Sequence, residues 1–469
     1  MSELISIHIG GAGVRTGTAC WDLFCLEHGI QQDGYMHPDK KDNTDYEALS
    51  SHFSSSPDGK HNPRAVFIDL DPETIDILRC NPSRHLFHND QLISGNVVDP
   101  TASYARSRAL SDEIIDNCLQ QIRKLADQCH SLEGFMVYSA LGGGTGSGVG
   151  SLLVEKLSES FEKKSTMAIP IFPSEKNAAS TVEPYNAILT ASTLLEHVNV
   201  SVALDNDAIY DICQTNFDIM NPDISNLNHV ISQYVSSMTA SMRYGGTLNN
   251  TISSFEMSLI AYPRLHFMLP SYAPISKSNA LNNDLSVAEL TKAVFDSSSA
   301  LAKCDPRMGK YLSICLMYRG DVLQGVPPLS DFSDSIQFVD WCPQILRTEM
   351  HNDKYPIAMP NSMFSNTNRS VCMISSSTAI AEVFNRIDQA AEVLLSKKEF
   401  LHWYGTEDME AEFLNARENL SILQEEYAEV GKESVDYDEE ISDPDESSDP
   451  DSDDWGFDDN YTDSEGYYS

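Results

Sequence analysis

A seven-residue run, Gly142-Gly143-Gly144-Thr145-Gly146-Ser147-Gly148, lies between two segments of different periodicity and constrains this chain more than any other feature. Before it, Gly134 to Leu141 is apolar and rich in β-formers. After it, Val149 to Phe161 places Leu152, Leu153, Lys156 and Leu157 at helical spacing. A helix that opens straight from a glycine loop aims free backbone N–H groups, and the positive end of its dipole, at an anion. A flexible surface linker has a similar composition, but it is not flanked by a strand and a helix. Two common phosphate motifs fail here. There is no G-x-x-x-x-G-K-[ST], and Ser147 stands where G-x-G-x-x-G requires its third glycine, so a dehydrogenase is the weakest candidate.

The N-terminal half repeats the same unit. Leu4 to Ile9 alternates into Gly10-Gly11-Ala12-Gly13, a loop expected to lead into a helix over Thr18 to Leu26. Arg64 to Asp71 reads as a strand ending in two carboxylates, Asp69 and Asp71, and Asp71-Pro72-Glu73-Thr74 opens a helix through Leu78. Asp112 to Cys129 carries Ile114, Ile115, Cys118, Ile122 and Leu125 on one face. Strands alternating with helices up to residue 205 predict an α/β fold, a doubly wound parallel sheet whose ligand lies at the carboxyl ends of the strands. Residues 206–377 mix helices (Asn228 to Met242, Leu285 to Phe295) with strands such as Tyr311 to Tyr318, and so predict a second α+β domain. Residues 378–431 predict a C-terminal helical pair, Thr378 to Leu395 and Glu407 to Val430. Residues 432–469 predict a disordered acidic tail.

A formal charge of −39 repels phosphate backbones, so the chain is not expected to bind nucleic acid, and basic partners or cations fit it better. The stretch from Glu433 to Ser469 holds sixteen of the seventy acidic residues and no lysine or arginine. Ten cysteines with no C-x-x-C pair indicate buried reduced thiols, not zinc or redox chemistry. No basic leader or membrane-length apolar run is seen, which predicts a cytoplasmic protein with no membrane partner.

GGGTGSG after an apolar strand resembles the signature of the tubulin and FtsZ superfamily, and the likeness extends from Leu4 to about Gly431. Stretches similar to α-tubulin rather than β-tubulin are Cys25 to Ile30, Arg123 to Cys129, Ala208 to Cys213 and Ile336 to Pro343. The resemblance implies that residues 1–205 form a GTP-binding domain. It places the triphosphate on Gly142, Gly143, Gly144, Thr145 and Gly146, with Gly10, Gly11 and Ala12 as a second wall. It implies Mg²⁺ near Asp69 and Asp71, with Asp71 the metal residue, although an Asp before Pro is by itself more often a helix cap. Glu183 matches a ribose contact, and Asn206 and Asn228 match contacts to the guanine edge, where an amide can both donate and accept. The implied partner is β-tubulin, in a heterodimer and in the longitudinal contacts of microtubules. Motors and microtubule-associated proteins are implied at the acidic tail, and a cytoplasmic, cytoskeletal location follows.

Departures from the family pattern carry as much information. Gly11, Asp71, Ala140 and Ala179 replace Gln, Glu, Ser and Thr, and Ile224 replaces a tyrosine that stacks on the base. Loss of one stack costs about 1–3 kcal/mol, and each lost hydrogen bond about 0.5–1.5 kcal/mol, so weaker GTP binding is expected. In Leu248 to Phe255, Thr251 and Ser254 stand where α-tubulins present an Asp and the catalytic Glu to the GTP of the next β subunit. A serine without an activating base is a poor proton acceptor, so no catalytic residue is assigned and impaired triggering of hydrolysis is expected. The rival readings are a non-polymerising scaffold of the same fold and an active GTPase, which would need a carboxylate absent from this loop. Lys40 falls in the family's lumenal loop. The terminus Gly466-Tyr467-Tyr468-Ser469 lacks Glu-Glu-Tyr, and Ser447, Ser448 and Ser452 sit in acidic, kinase-like surroundings.

Overall fold

The computed structural model describes residues 2–39, 45–96, 103–245, 251–275, 285–322, 336–341, 345–352, 354–360, 362–405 and 407–432. Lys40, residues 248–250 and the tail from 433 onward, with the kinase-like serines and the terminus, lie outside the described residues.

Thirteen strands are described: β1 Glu3–Ile9, β2 Phe53–Ser55, β3 His61–Pro63, β4 Ala65–Asp69, β5 Leu92–Ser94, β6 Leu132–Ala140, β7 Ser165–Phe172, β8 Val200–Val202, β9 Leu204–Asp205, β10 Phe267–Ala273, β11 Tyr311–Gly320, β12 Ile345–His351 and β13 Arg369–Ser377. Around them lie α1 Gly10–His28, α2 Tyr46–Leu49, α3 Pro72–Cys80, α4 Tyr104–Ser111, α5 Ile115–Asp127, α6 Gly150–Ser160, α7 Glu183–His197, α8 Asn206–Thr215, α9 Ile224–Met238, α10 Ala240–Tyr244, α11 Ile252–Leu259, α12 Val287–Val294, α13 Ala381–Ser396 and α14 Glu407–Val430.

Ten strands follow one path, β12-β11-β13-β10-β8-β7-β6-β1-β4-β5, with β9 joined to β7 off that path. From β8 to β5 every pairing is parallel. β10 pairs in parallel with β8 through Phe267↔Ser201 and Met268↔Val202 and antiparallel with β13, so the sheet runs unbroken from the α/β half into the mixed half. Residues 1–433 accordingly form one compact unit.

The alternation in β1 decides the layering. Ile5, Ile7 and Ile9 face a core shared with α5, α6, α7, α13 and α14, while Leu4 faces a second core shared with α1, α3 and α9. Both faces are therefore covered by helices, as a parallel sheet requires. The C-terminal pair α13 and α14 packs against α7.

Several boundaries differ from the sequence expectation. The run Gly10–Gly13 is the first turn of α1, not a loop before it. Ile9 is the N-cap and Gly10 has a φ of +73°, so the chain turns into the helix immediately after the strand. α9 begins at Ile224, four residues before Asn228, and ends at Met238, with the separate α10 following Thr239. The stretch expected to be helical from Asp112 starts at Ile115, after the shorter α4.

A buried ionic cluster locks α1 to α9. Glu27 on α1 pairs with Arg243 at 2.8 Å and Arg319 at 2.9 Å, and accepts from Ser236 of α9 at 2.7 and 2.8 Å. Burial alone would raise the pKa of the Glu27 carboxyl, but Arg319 and Arg243 together hold it below the ordinary value.

Candidate functional site

The strands deliver their loops to one end of the sheet. β1 runs directly into α1 at Gly10, β4 ends at Asp69, β6 ends at Ala140 before Gly142–Gly144, and β9 runs into α8 at Asn206. The chain leaves β1 toward β4 on one side and leaves β6 toward β7 on the other, so a crevice opens between β1 and β6 where the connections diverge.

Two helix starts converge there. Neither α1 nor the turn at Thr145–Val149 that leads into α6 has a side-chain cap, so their first N–H groups are left for another acceptor. They touch backbone to backbone: a Cβ on Gly10 would meet the Gly146 nitrogen at 2.9 Å, and one on Gly146 would meet the Ala140 oxygen at 2.6 Å. Gly143, in contrast, faces open space, and a Cβ on Gly11 would come no nearer than 3.9 Å to Asp69 Oδ2 and Thr74 Oγ1. Close contact at Gly10 and Gly146 with room above Gly11 and Gly143 forms a cradle lined by backbone N–H groups, which suits a phosphate chain.

The cradle is braced by residues that the sequence reading passed over. Asn186 of α7 is fully buried. Its Nδ2 donates to the Gly142 carbonyl at 2.7 Å, and its Oδ1 accepts from the Tyr104 N–H at 2.9 Å and the Tyr404 hydroxyl at 2.5 Å. Ser147 turns its hydroxyl inward onto the Gly143 and Gly144 carbonyls. An asparagine within the largely apolar stretch Tyr185 to Leu189 was the available signal for Asn186, but nothing local reveals a partner 44 residues away.

Asp69 is buried beside the cradle. Burial pushes its pKa up, against the hydrogen bond from the Asp71 N–H at 3.2 Å and the nearby Thr145 and Thr74 hydroxyls. Asp71 is half-exposed and caps α3 by accepting from the Glu73 N–H at 3.0 Å. Among the described residues no cluster of three or more metal-binding side chains occurs. A cation held here by Asp69 or Asp71 would therefore complete its shell with phosphate oxygens and water, as magnesium does. Ala12 is half-buried next to Gly11 and adds no polar group to the cradle.

Glu183, at the first position of α7, turns back to accept from the Ala179 and Ser180 N–H groups at 2.8 and 3.1 Å, and burial raises its pKa. Asn206 opens α8, and its amide has no hydrogen bond among the described residues. Asn228 is 9% exposed, and its Oδ1 accepts from Thr16 of α1 at 3.0 Å. It lines a cleft of about 420 Å³ between α1, α3 and α9, with Arg15, Thr74 and Ile224. The structure thus gathers Gly10, Gly11, Asp69, Thr145 and the glycine loop at one point, with Asn228 reached along α1.

Matches to known families fit this geometry. The description "Tubulin/FtsZ family, GTPase domain" covers residues 3–214, and "Tubulin C-terminal domain" covers residues 263–389. The chain belongs to the tubulin/FtsZ family. Its GTPase domain implies GTP binding, and the cradle described above falls within it. Among the described residues of this tubulin-like chain, no helix is long and apolar enough to cross a membrane.

The second position of interest lies at the opposite, amino end of the parallel strands. Thr251 caps α11, accepting from the Ser254 N–H at 3.1 Å, so Ser254 sits in the first turn of a helix and not in a loop. Its hydroxyl accepts from the Arg347 guanidinium of β12 at 2.5 Å. Glu256 points elsewhere, accepting from Asn199 and Ser165, each at 3.0 Å. Glu133, at the start of β6, lies near the Ile252 and Ser253 N–H groups and the Thr251 side chain, and its buried Oε1 has no hydrogen-bond partner among the described residues. Burial pushes its pKa up to about 6. It lies beside the N-terminal pole of α11, where a Glu at position 254 could have closed a capping box with Thr251.

Proposed function

We propose that this chain is a divergent α-type subunit that pairs with β-tubulin and joins microtubules in the cytoplasm. In this reading it holds GTP with Mg²⁺ in its own cleft but fails to trigger hydrolysis on the neighbouring β subunit. At the carboxyl end of the sheet, the N–H groups of Gly10 to Ala12 and Gly142 to Gly146 would carry the phosphates, and Asp69 and Asp71 would hold the metal. Asn206 and Asn228 would meet the base edge and Glu183 the ribose. The bound metal would neutralise phosphate charge.

The observation that carries the reading is at Ser254. Hydrolysis needs a group that takes a proton from the attacking water. The Ser254 oxygen is already an acceptor for Arg347, and Glu256 is tied to β7 and to the β7–β8 connection. Neither is free to act as that base. Polymer containing such subunits would keep the contact in its GTP-like form and resist shrinkage.

The test is to isolate the tagged protein at native abundance, count β-tubulin per chain and identify the released nucleotide. One β-tubulin per chain with bound GTP is the expected result. Absence of both would replace this reading with that of a non-polymerising scaffold.

A further inference from the structure

Among the described residues, Arg15 is the one permanent cation lining the 420 Å³ cleft, and none of them gives it a partner. It is exposed and makes no hydrogen bond or ion pair among the described residues. Asp22, two turns along α1, is the carboxylate in that cleft, but it accepts from Ser83 at 2.7 Å, and burial raises its pKa.

Its position is informative. Arg15 follows Gly11 by four residues, so it shares the face of α1 that begins at the cradle and lies one turn, about 6 Å, further along the helix. Two other features line the same cleft: Ile224, 51% exposed at the start of α9, and Asn228, whose amide is oriented by the hydroxyl of Thr16. A bare apolar side chain, a free planar guanidinium and an oriented amide suit a flat heteroaromatic ring with polar edges. Guanidinium groups stack on such rings and donate to purine O6 and N7.

We propose that Arg15 grips the purine of the bound nucleotide, supplying against Ile224 the hold that an aromatic side chain at position 224 would otherwise give. This rests on the reading of the cleft as a guanine-nucleotide site. Arg15 acts there as a binding and specificity residue.

The test follows loss of bound nucleotide from the full-length protein, isolated with whatever partner it carries, for the unsubstituted protein and for Arg15→Ala, Arg15→Lys and Arg15→Ala with Ile224→Tyr. Thermal melting checks that each variant is folded. Arg15→Ala is expected to speed release by roughly 3- to 30-fold, the range of a desolvated cation–π contact, and to narrow the preference for GTP over ATP. Lysine, lacking the planar fork, recovers only a minor part, whereas tyrosine at 224 restores retention. Unchanged release in Arg15→Ala would overturn the proposal. So would full rescue by lysine with equal losses for GTP and ATP, which would mark a phosphate contact. If the unsubstituted protein holds no guanine nucleotide, the site reading itself fails, and that result appears before any substitution is compared.

Discussion

Strand β6 joins two regions with opposite fates. At its carboxyl end, Ala140 leads into a glycine cradle whose close contacts are intact: Gly10 against Gly146, Gly146 against Ala140, Asn186 on Gly142. At its amino end, Glu133 sits under α11, where a serine held by an arginine occupies the position that the resemblance assigns to a catalytic carboxylate. In the proposed reading, binding a nucleotide and acting on a neighbour's nucleotide are separate properties of one sheet. The cradle depends on backbone approach that no side chain can replace, whereas the proposed triggering role would rest on a single carboxylate.

The comparison can be broken most severely at the support both ends share. Glu27→Ala would leave Arg243 and Arg319 buried without their carboxylate, an expected loss of about 3–5 kcal/mol, read as a drop in the urea midpoint at constant slope. A loss well under 1 kcal/mol would mean that the α1–α9 lock is not structural.

A smaller and more local effect separates the cradle from the rest. Gly146→Ala drives a Cβ to 2.6 Å from the Ala140 carbonyl, and displacement of the loop should cut nucleotide retention at least tenfold. Gly143→Ala meets open space and should leave stability within about 0.5 kcal/mol. Similar behaviour of the two variants would undo the account of the cradle as a backbone contact.

The amino end has its own pH signature. Burial raises the pKa of Glu349, on β12 beside Arg347, to about 7, and that of Glu133 to about 6. A carboxyl raised on folding binds its proton more tightly in the native state, so stability falls as pH rises from the unfolded value near 4.5 toward 7 and then levels off. Glu349→Gln removes the larger part of this slope. Denaturation at pH 5 and pH 7.5 should show the variant gaining on the unsubstituted protein at the higher pH. An unchanged slope would show that Glu349 does not titrate in this way.

How much of this was legible in the sequence depended on distance along the chain. The glycine loop, the strand before it, Asp69 at the end of β4 and the two C-terminal helices follow from periodicity and local turn chemistry, and the structure shows each of them. The start of α1 was missed because glycine is a poor helix former, and its run signals a loop unless a ligand or a neighbouring backbone requires the space. Asn186 on Gly142, Arg347 on Ser254 and Glu133 on α11 join residues 44, 93 and more than 100 positions apart, and no local pattern announces them. Continuity of the sheet through β8 and β10 was hidden for the same reason, since a two-residue parallel pairing leaves little trace in either strand.

The central claim is that this chain binds nucleotide but lacks the base to trigger its neighbour. The most direct measurement is GTP hydrolysis during assembly of the purified heterodimer, comparing the unsubstituted chain with Ser254→Glu. The account predicts hydrolysis roughly 100-fold or more below that of ordinary tubulin, recovered in large part by the glutamate. Hydrolysis in step with assembly at an ordinary rate, with nothing added by Ser254→Glu, would contradict it.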